Sequence, residues 1–282
     1  MRIRNGAAVV LIALLLLSAG GFAAFATPRN FDFAILGDHT GEAVEGVWEE
    51  AWRETDLDHP AFITTVGDTI QGGSDRAIET QWEEEEAELA PYRHYTILFT
   101  PGNHDIGSPA SVTAYIARTK RPLHYGFDYQ QVHITVLDDS QSDQFSAEEL
   151  AFLEKDLAAH KAQPVKFIFS HRPAWILQVV LANPAFPLHQ LALRYGVKYV
   201  IAGHIHQMLH FELDGVTYLS MASSGGHLRE DKSYEHGWFF QHTLVSVRGE
   251  KVDFQIKELP PPYGKGRITT PNDWGAGGLI RR

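Results

Sequence analysis

At 282 residues, with 44% hydrophobic and 21% charged residues, the chain has the length and composition of a folded protein built on one large domain. Its formal net charge of -11 argues against general binding of nucleic acids, which usually requires a basic surface, but it is compatible with an anionic ligand if bound cations supply positive charge. Because the chain contains no cysteine, disulfides, thiolate metal sites and cysteine nucleophiles are excluded.

The N-terminus has the pattern of an export signal. Arg2 and Arg4 precede an apolar run at residues 7–17, and Ala24-Phe25-Ala26-Thr27 resembles a cleavage site, so residues 1–26 are predicted to be a signal peptide. The alternative is an uncleaved membrane anchor, because residues 6–26 carry no charge and could span a bilayer. Membrane contact is expected only if that segment is uncleaved, and only through it. Either way, the remainder is expected outside the cytoplasm, either periplasmic or secreted, or anchored to the membrane.

Five short apolar runs, each ending in a loop rich in turn-forming residues, predict buried strands. They span residues 31–36, 61–66, 95–100, 165–169 and 198–202. Residues 43–53 and 146–160 carry apolar side chains at helical spacing, and Ser146 with Glu149 has the pattern of a capping box. Because strands alternate with helices, βαβ units are predicted.

Later segments favour antiparallel hairpins, at residues 124–129 with 132–137, 209–213 with 216–221, and 240–247 with 251–259. The predicted fold is a mixed α/β domain over residues 30–259, in which a sandwich of two mixed sheets is flanked by helices. Residues 260–282, rich in proline and glycine, predict an irregular C-terminal tail. The four glutamates at residues 83–86 are expected on a solvated helix face.

Each of the five predicted strands is followed by a loop carrying Asp, Asn or His. These loops are Gly37-Asp38-His39-Thr40, Gly67-Asp68-Thr69, Gly102-Asn103-His104-Asp105, Ser170-His171-Arg172-Pro173 and Gly203-His204-Ile205-His206. Individually, the aspartates could cap helices, Asn103 could belong to a turn and His171 could be a core histidine. Together, five such strand ends favour a metal cage. One extended step would place His204 and His206 on the same side of the chain.

Oxygen and imidazole ligands without a thiolate suit a pair of divalent metals acting on a phosphate ester. Such chemistry needs a bridging carboxylate, a hydroxide held between the metals, and a proton donor opposite it. His104 is the candidate donor, and Asp105 could orient it. Arg172 could bind a phosphate oxygen, although a surface salt bridge is an equally good interpretation. His227 follows a Ser-Ser-Gly-Gly loop and could contact phosphate, the alternative being an exposed histidine in a turn.

The order Asp, Gly-Asp, Gly-Asn-His-Asp, His and Gly-His-x-His resembles the calcineurin-like metallophosphoesterase superfamily over about residues 31–221. The resemblance implies a four-layer αββα fold and two divalent metals, of which manganese, iron and zinc are all candidates. It implies that Asp68 bridges them, that Asp38 and His206 complete the first site, and that the second site has three further ligands, Asn103, His171 and His204. It also implies that His104 is the acid near the leaving group.

One position departs from this pattern, because the family commonly has histidine where this chain has Thr40. The first metal site is therefore expected to lack a ligand unless water, Gln71 or Thr40 contributes. The leading hypothesis is an enzyme that hydrolyses a small phosphomonoester or phosphodiester. The alternative is a catalytically weakened member that acts as a binding or regulatory module.

Overall fold

The computed structural model describes residues 30–229 and 233–275. The predicted signal peptide or anchor lies outside the described residues, as do the last seven residues of the predicted tail. In the described part of the chain, no helix has the length and apolarity needed to cross a bilayer.

Twelve strands in the described residues form two mixed sheets of six strands each. In chain order the strands are β1 (Phe31–Leu36), β2 (Ile63–Thr65), β3 (Ile97–Leu98), β4 (Tyr125–Tyr129), β5 (Val132–Val136), β6 (Val165–Phe169), β7 (Tyr199–Ala202), β8 (Leu209–Leu213), β9 (Val216–Ser220), β10 (Gln241–Arg248), β11 (Lys251–Glu258) and β12 (Ile268–Thr269). The first sheet has the order β12-β11-β10-β1-β2-β3, and the second has the order β4-β5-β6-β7-β9-β8.

Six α-helices in the described residues cover the outer faces of these sheets. They are α1 (Val47–Leu57), α2 (Asp75–Glu88), α3 (Pro109–Thr119), α4 (Ala147–Ala159), α5 (Ile176–Val180) and α6 (Pro187–Tyr195). One apolar cluster joins the first three helices to the first sheet, and another joins the last three to the second sheet. The predicted sandwich of two mixed sheets flanked by helices is confirmed.

The core between the sheets follows from strands that are apolar on both faces. In β1, Phe33 and Ile35 point between the sheets, while Ala34 and Leu36 point toward the helices. Phe33 stacks on Phe62 with ring centroids 4.8 Å apart. Burying an aromatic or aliphatic side chain of this size contributes about 1.5–3 kcal/mol, so this shared layer fixes how the two sheets face each other.

The three predicted hairpins are confirmed as the antiparallel pairs β4–β5, β8–β9 and β10–β11. Two expectations need correction. The predicted irregular tail contains β12, which pairs with β11, and Trp274 packs against Phe254. The glutamate run is not wholly solvated, because Glu85 is 3% exposed, accepts a hydrogen bond from Trp48 and pairs with His39.

Candidate metal centre

The five motif loops meet where parallel strands of both sheets end. β1, β2 and β3 run parallel in the first sheet, and β6 and β7 run parallel in the second. The carboxyl ends of these strands therefore lie along one edge of the sandwich, where ligands bind in open α/β sheets. Backbone hydrogen bonds join the loops directly, from His39 and Thr40 to the Asp68 carbonyl and from Gly203 to the His171 carbonyl.

The first group of candidate ligands consists of Asp38, Asp68 and His206, whose ligand atoms all lie within 4.8 Å of one another. All three side chains are buried. The His206 Nε2 atom is 3.8 Å from Asp38 Oδ1. These residues come from sequence positions far apart, so their convergence reflects the fold.

The second group shares Asp68 and adds His171 and His204, again with ligand atoms within 4.8 Å. The Nε2 atom of His171 lies 3.3 Å from Asp68 Oδ2 and 2.9 Å from Asn103 Oδ1. The Nδ1 atom of His204 lies 3.2 Å from His171 Nε2. Asp68 therefore belongs to both groups, as a bridging carboxylate must.

Backbone carbonyls fix the orientation of two of the imidazoles. Nδ1 of His171 lies 2.8 Å from the Val66 carbonyl, and Nδ1 of His206 lies 2.8 Å from the His227 carbonyl. Donation from Nδ1 leaves Nε2 of each ring free to face the cluster, which is the arrangement that orients histidine ligands in metal sites.

The two histidines of the last motif do not share a side through an extended step, as the sequence spacing had suggested. His204 has φ 69° and His206 has φ 58°, both in the left-handed region, and each joins a different ligand group. Asp68 also has φ 55°. Such backbone costs about 1–3 kcal/mol per residue and persists only where surrounding contacts impose it, most often at functional sites.

The glycine before His204 is required by close packing. A Cβ atom on Gly203 would lie 2.6 Å from Asp38 Oδ2. Gly41, with φ 84°, is equally constrained, since its Cβ would lie 2.9 Å from His206 Cε1. Glycine in these loops therefore keeps space free around the ligand atoms.

The polar atoms at the centre fit a cation. Asp38 Oδ2 and His206 Nε2 are buried, and neither has a hydrogen-bond partner among the described residues. A buried carboxylate oxygen without a partner costs about 1–3 kcal/mol or more, which a bound metal ion would offset. The donor set of carboxylates, an amide oxygen and imidazoles suits manganese, iron or zinc.

The electrostatics of the centre show the same need for positive charge. Burial raises the pKa of Asp38 against the opposing effect of His206 and His171. Burial alone would lower the pKa of His171, but the Asp68 and Asp38 carboxylates outweigh it and raise that pKa to about 10. The Asp68 and Asp38 carboxylates thus attract positive charge into the centre.

His104 is half-buried and lies beside the ligand groups. Its backbone N–H donates to Asp68 Oδ1 at 2.9 Å, while its Nδ1 lies 2.7 Å from the Gln71 carbonyl and 3.2 Å from the Gln71 amide nitrogen. Its Nε2 opens on the space next to Gly41, which also borders His206. The side chain is therefore placed to act beside the metal groups, with Nδ1 held by Gln71.

The role predicted for Asp105 is wrong. Its Oδ1 accepts hydrogen bonds from the backbone N–H groups of Thr69 and Ile70, and its Oδ2 accepts one from Gly102, so it does not orient the His104 ring. Asp105 is fully buried and ties together the two loops that carry Asp68 and Asn103. Gln71 is the residue that contacts His104, and its position three residues after Asp68 was the available signal.

Arg172 and His227 border the centre. Arg172 Nη1 forms an ion pair with Asp143 at 2.8 Å and lies 3.2 Å from His204 Nε2, so the predicted salt bridge coexists with a position next to the ligands. His227 Nδ1 lies 2.6 Å from the Gly41 carbonyl, and its ring meets that of His206 with centroids 6.1 Å apart. Its carbonyl, rather than its ring, contacts His206.

Asp139 was missed by sequence reasoning. This buried carboxylate accepts hydrogen bonds from the backbone N–H groups of His171 and Arg172, at 2.9 and 3.0 Å, and holds that loop in place. It follows β5 just as the other aspartates follow their strands, so the same pattern would have identified it.

Neither protein candidate replaces the absent family histidine. The Thr40 hydroxyl lies within hydrogen-bonding distance of the carbonyls of Asp68 and Ile70. The Gln71 side-chain oxygen accepts from the N–H groups of Gly41 and Glu42. His39 points away, since its ring stacks on Trp48 with centroids 4.5 Å apart.

Comparisons with known proteins agree with this geometry. A family model for calcineurin-like phosphoesterases matches residues 31–208. The chain is 29% identical over 203 residues to the 3',5'-cyclic adenosine monophosphate phosphodiesterase CpdA of Escherichia coli (strain K12), covering 68% of this chain and 70% of that protein.

Two solved structures share the fold. A purple acid phosphatase from yellow lupin seeds superposes with a TM-score of 0.67 at 15% identity, covering 86% of this chain and 54% of that one. The GAP50 anchor of the Plasmodium inner membrane complex has a TM-score of 0.59 at 15% identity, covering 90% and 89%. The predictions of family and of phosphoester hydrolysis are confirmed by these comparisons taken together.

Proposed function

Because the chain belongs to the calcineurin-like phosphoesterase family and is a metal-dependent hydrolase of phosphoester bonds, we propose that its substrates are small phosphodiesters. The observation that carries this proposal is that two separate clefts border the ligand groups, one at Asn103 and the other at His204. One cleft, of about 560 Å³, is lined by Gln71, Asn103 and His104 among others. The other, of about 730 Å³, is lined by Arg172 and His204 among others.

The two clefts differ in chemistry. The one beside His104 is bordered by small and polar residues, including Gly73, Ser74 and Ser108. The one beside Arg172 has apolar walls that include Ile176, Phe186 and Leu188. A phosphomonoester has one organic group to place, whereas a diester has two. Two clefts at the centre therefore favour a diester. The E. coli relative is also named as a phosphodiesterase, although both ester oxygens of its cyclic substrate belong to one ribose.

We place two divalent metals in the ligand groups described above. Asp38, Asp68 and His206 would hold the first, and Asp68, Asn103, His171 and His204 would hold the second. When bound, such ions neutralise charge on the phosphoryl oxygens and activate water as a nucleophile at neutral pH. With Thr40 and Gln71 engaged elsewhere, the first site has fewer protein ligands, and we propose that it exchanges its metal more readily than the second.

The chain's own residues supply the rest of the reaction. His104, held through Nδ1 by the Gln71 carbonyl, would present a protonated Nε2 to the leaving oxygen, and the leaving group would occupy the polar cleft. The Arg172 guanidinium, whose Nη1 lies 3.2 Å from His204 Nε2, would attract the anionic phosphoryl group.

A substrate panel tests this proposal. With Mn²⁺ added, the protein is expected to hydrolyse bis(p-nitrophenyl) phosphate and 3',5'-cyclic AMP faster than p-nitrophenyl phosphate, and a chelator is expected to abolish all three activities. His104→Ala should lower turnover by roughly 10²–10⁴-fold, the usual contribution of a general acid. The matched control is His94→Ala, because that histidine is 59% exposed and contacts Asp56 and Tyr95, which are not among the ligands.

A preference for the monoester would overturn the diester proposal. If no substrate were hydrolysed at any metal concentration, the alternative of a binding or regulatory module would gain support. The replacement of the family histidine by Thr40 is the observation that favours that alternative.

We also propose that the enzyme acts outside the cytoplasm, as the charged, apolar and small-residue pattern of residues 1–26 suggests. Fractionation of cells that produce the full chain should place phosphodiesterase activity outside the cytoplasm. Sequencing the N-terminus of the mature protein would separate a cleaved signal peptide from a retained anchor. Cytoplasmic activity would contradict export.

A further inference from the structure

A second cluster of imidazoles and carboxylates lies on the outer face of the second sheet, apart from the residues described above. It contains Asp128 on β4, His133 on β5, and Asp156 and His160 at the end of α4. Asp128 and His133 are directly opposite each other in the antiparallel β4–β5 pair. The two imidazoles are stacked, with ring centroids 4.0 Å apart and planes inclined by 13°.

Three residues of this cluster bring their ligand atoms close to one another. Nδ1 of His133 lies 2.8 Å from Asp128 Oδ1, and Nε2 of His160 lies 3.5 Å from Asp128 Oδ2. Ligand atoms of Asp128, His133 and His160 all lie within 4.8 Å of one another. In a tetrahedral zinc site with bonds of about 2.0–2.1 Å, neighbouring ligand atoms are separated by roughly 3.3–3.5 Å, so only small shifts are needed.

Each imidazole is oriented by a partner on its far nitrogen. His133 Nε2 lies 2.8 Å from Asp156 Oδ2, and His160 Nδ1 lies 2.8 Å from the Asp156 carbonyl. Donation to these oxygens leaves His133 Nδ1 and His160 Nε2 as the nitrogens that face Asp128. Carboxylate or carbonyl partners on the far nitrogen are the usual support for histidine ligands.

Further contacts hold the supporting carboxylate itself. The Thr135 hydroxyl donates to Asp156 Oδ2 at 2.7 Å. Gly126 leaves room for this arrangement, because a Cβ there would lie 3.1 Å from His133 Cε1 and would crowd Asp156 as well. Asp128 and His160 are partly exposed, at 42% and 32%, so solvent can fill a fourth position.

We infer that Asp128, His133 and His160 form a binding site for Zn²⁺ or a similar borderline divalent cation, independent of the catalytic centre. Two imidazoles and one carboxylate suit zinc, cobalt and nickel better than magnesium or calcium. Such an ion would cross-link β4, β5 and the C-terminal end of α4, and would therefore stabilise the folded protein against unfolding.

Zinc titration of the full chain tests the inference. Binding stoichiometry and the midpoint of thermal unfolding are measured with Zn²⁺ alone for the wild type, Asp128→Asn and His160→Gln. Both variants alter partly exposed side chains and leave the buried His133 in place. Each is expected to bind one equivalent fewer than the wild type and to lose part of the zinc-dependent rise in unfolding temperature, while Mn²⁺-dependent hydrolysis is unchanged.

His94→Gln serves as the matched control and should retain the wild-type stoichiometry. Equal stoichiometry in the wild type and both cluster variants would overturn the inference. It would instead assign the cluster to an imidazolium held between Asp128 and Asp156. An equal zinc-dependent rise in unfolding temperature for the wild type and His160→Gln would overturn it as well.

Discussion

Asp105→Asn separates a structural role for this carboxylate from a catalytic one. The native carboxylate accepts three backbone hydrogen bonds, two on Oδ1 from Thr69 and Ile70 at 2.9 and 3.0 Å, and one on Oδ2 from Gly102 at 2.9 Å. An asparagine can keep the first two by placing its oxygen at the Oδ1 position. Its NH₂ group then faces the Gly102 N–H, so two donors meet in a site without solvent.

A buried donor left without an acceptor costs about 1–3 kcal/mol. For a domain of this size, each kcal/mol lowers the unfolding temperature by about 2–4 °C, so a decrease of roughly 2–12 °C is expected. Asp105→Ala should cost more, since all three N–H groups lose their acceptor. In urea, both variants should shift the unfolding midpoint while the slope stays near that of the wild type.

The matched control is Asp253→Asn, which makes the same charge change on a residue whose side chain is 49% exposed and paired with Lys251. The free energy of unfolding of that variant should stay within about 0.5 kcal/mol of the wild-type value. In Asp105→Asn, the pH dependence of kcat should keep its shape, because the carboxylate does not touch His104. An unchanged unfolding midpoint together with a displaced pH profile would refute this reasoning and restore the orienting role predicted from the sequence.

Three further predictions concern other contacts. Gln71→Leu removes the side-chain acceptor of the Gly41 and Glu42 N–H groups but keeps the backbone carbonyl that holds His104 Nδ1. In urea the free energy of unfolding should therefore fall by about 0.5–1.5 kcal/mol, equivalent to one hydrogen bond, while kcat changes little in steady-state assays. Gly203→Ala places a methyl group against Asp38 Oδ2, so a Mn²⁺ titration of activity should require more metal than the wild type or Gly264→Ala, whose new Cβ meets no atom within 4 Å. Burial lowers the pKa of His133, but hydrogen bonds to Asp156 and Asp128 outweigh burial and raise it. The stabilisation is therefore full below the unfolded pKa of about 6.5 and is lost as pH rises through the folded pKa. In the presence of a chelator, urea unfolding should show the difference between wild type and His133→Asn shrinking from pH 6 to pH 9, and a constant difference would contradict this.

The strands were predictable because each apolar run is directly followed in the sequence by the turn-forming residues that end it. β1 and β6 have the predicted bounds, whereas β2 and β3 are shorter than their apolar runs. The helix predicted to begin at residue 43 begins at Val47, since Gly46, inside the predicted range, has φ 81° and cannot continue a helix. Val44 at helical spacing reflects packing in the core rather than helical backbone.

Which residues gather at the centre was predictable, but not how each side chain is directed. Because parallel strands of a sheet end at the same edge, the fold itself brings together the residues that follow them. The direction of His204 and His206 depends on positive φ at both residues, and non-glycine residues are rarely expected there from sequence. The same limit applies to Glu85, whose burial depends on His39 turning away from the centre toward α2.

The contacts of Asp68 and Asp105 show why residues that are adjacent in a motif need not contact each other's side chains. His104 and Asp105 are neighbours in the chain, yet the contacts of His104 come from Gln71 and Asp68, on another loop. Asp105 in turn bonds back to that same loop through Thr69 and Ile70. Hydrogen bonds therefore join the two loops in both directions, each from a backbone N–H group of one loop to a carboxylate of the other. A carboxylate following the proton-donor candidate therefore acts on the loop that carries the bridging ligand, and its loss should disturb the position of Asp68 before it alters the contacts of His104.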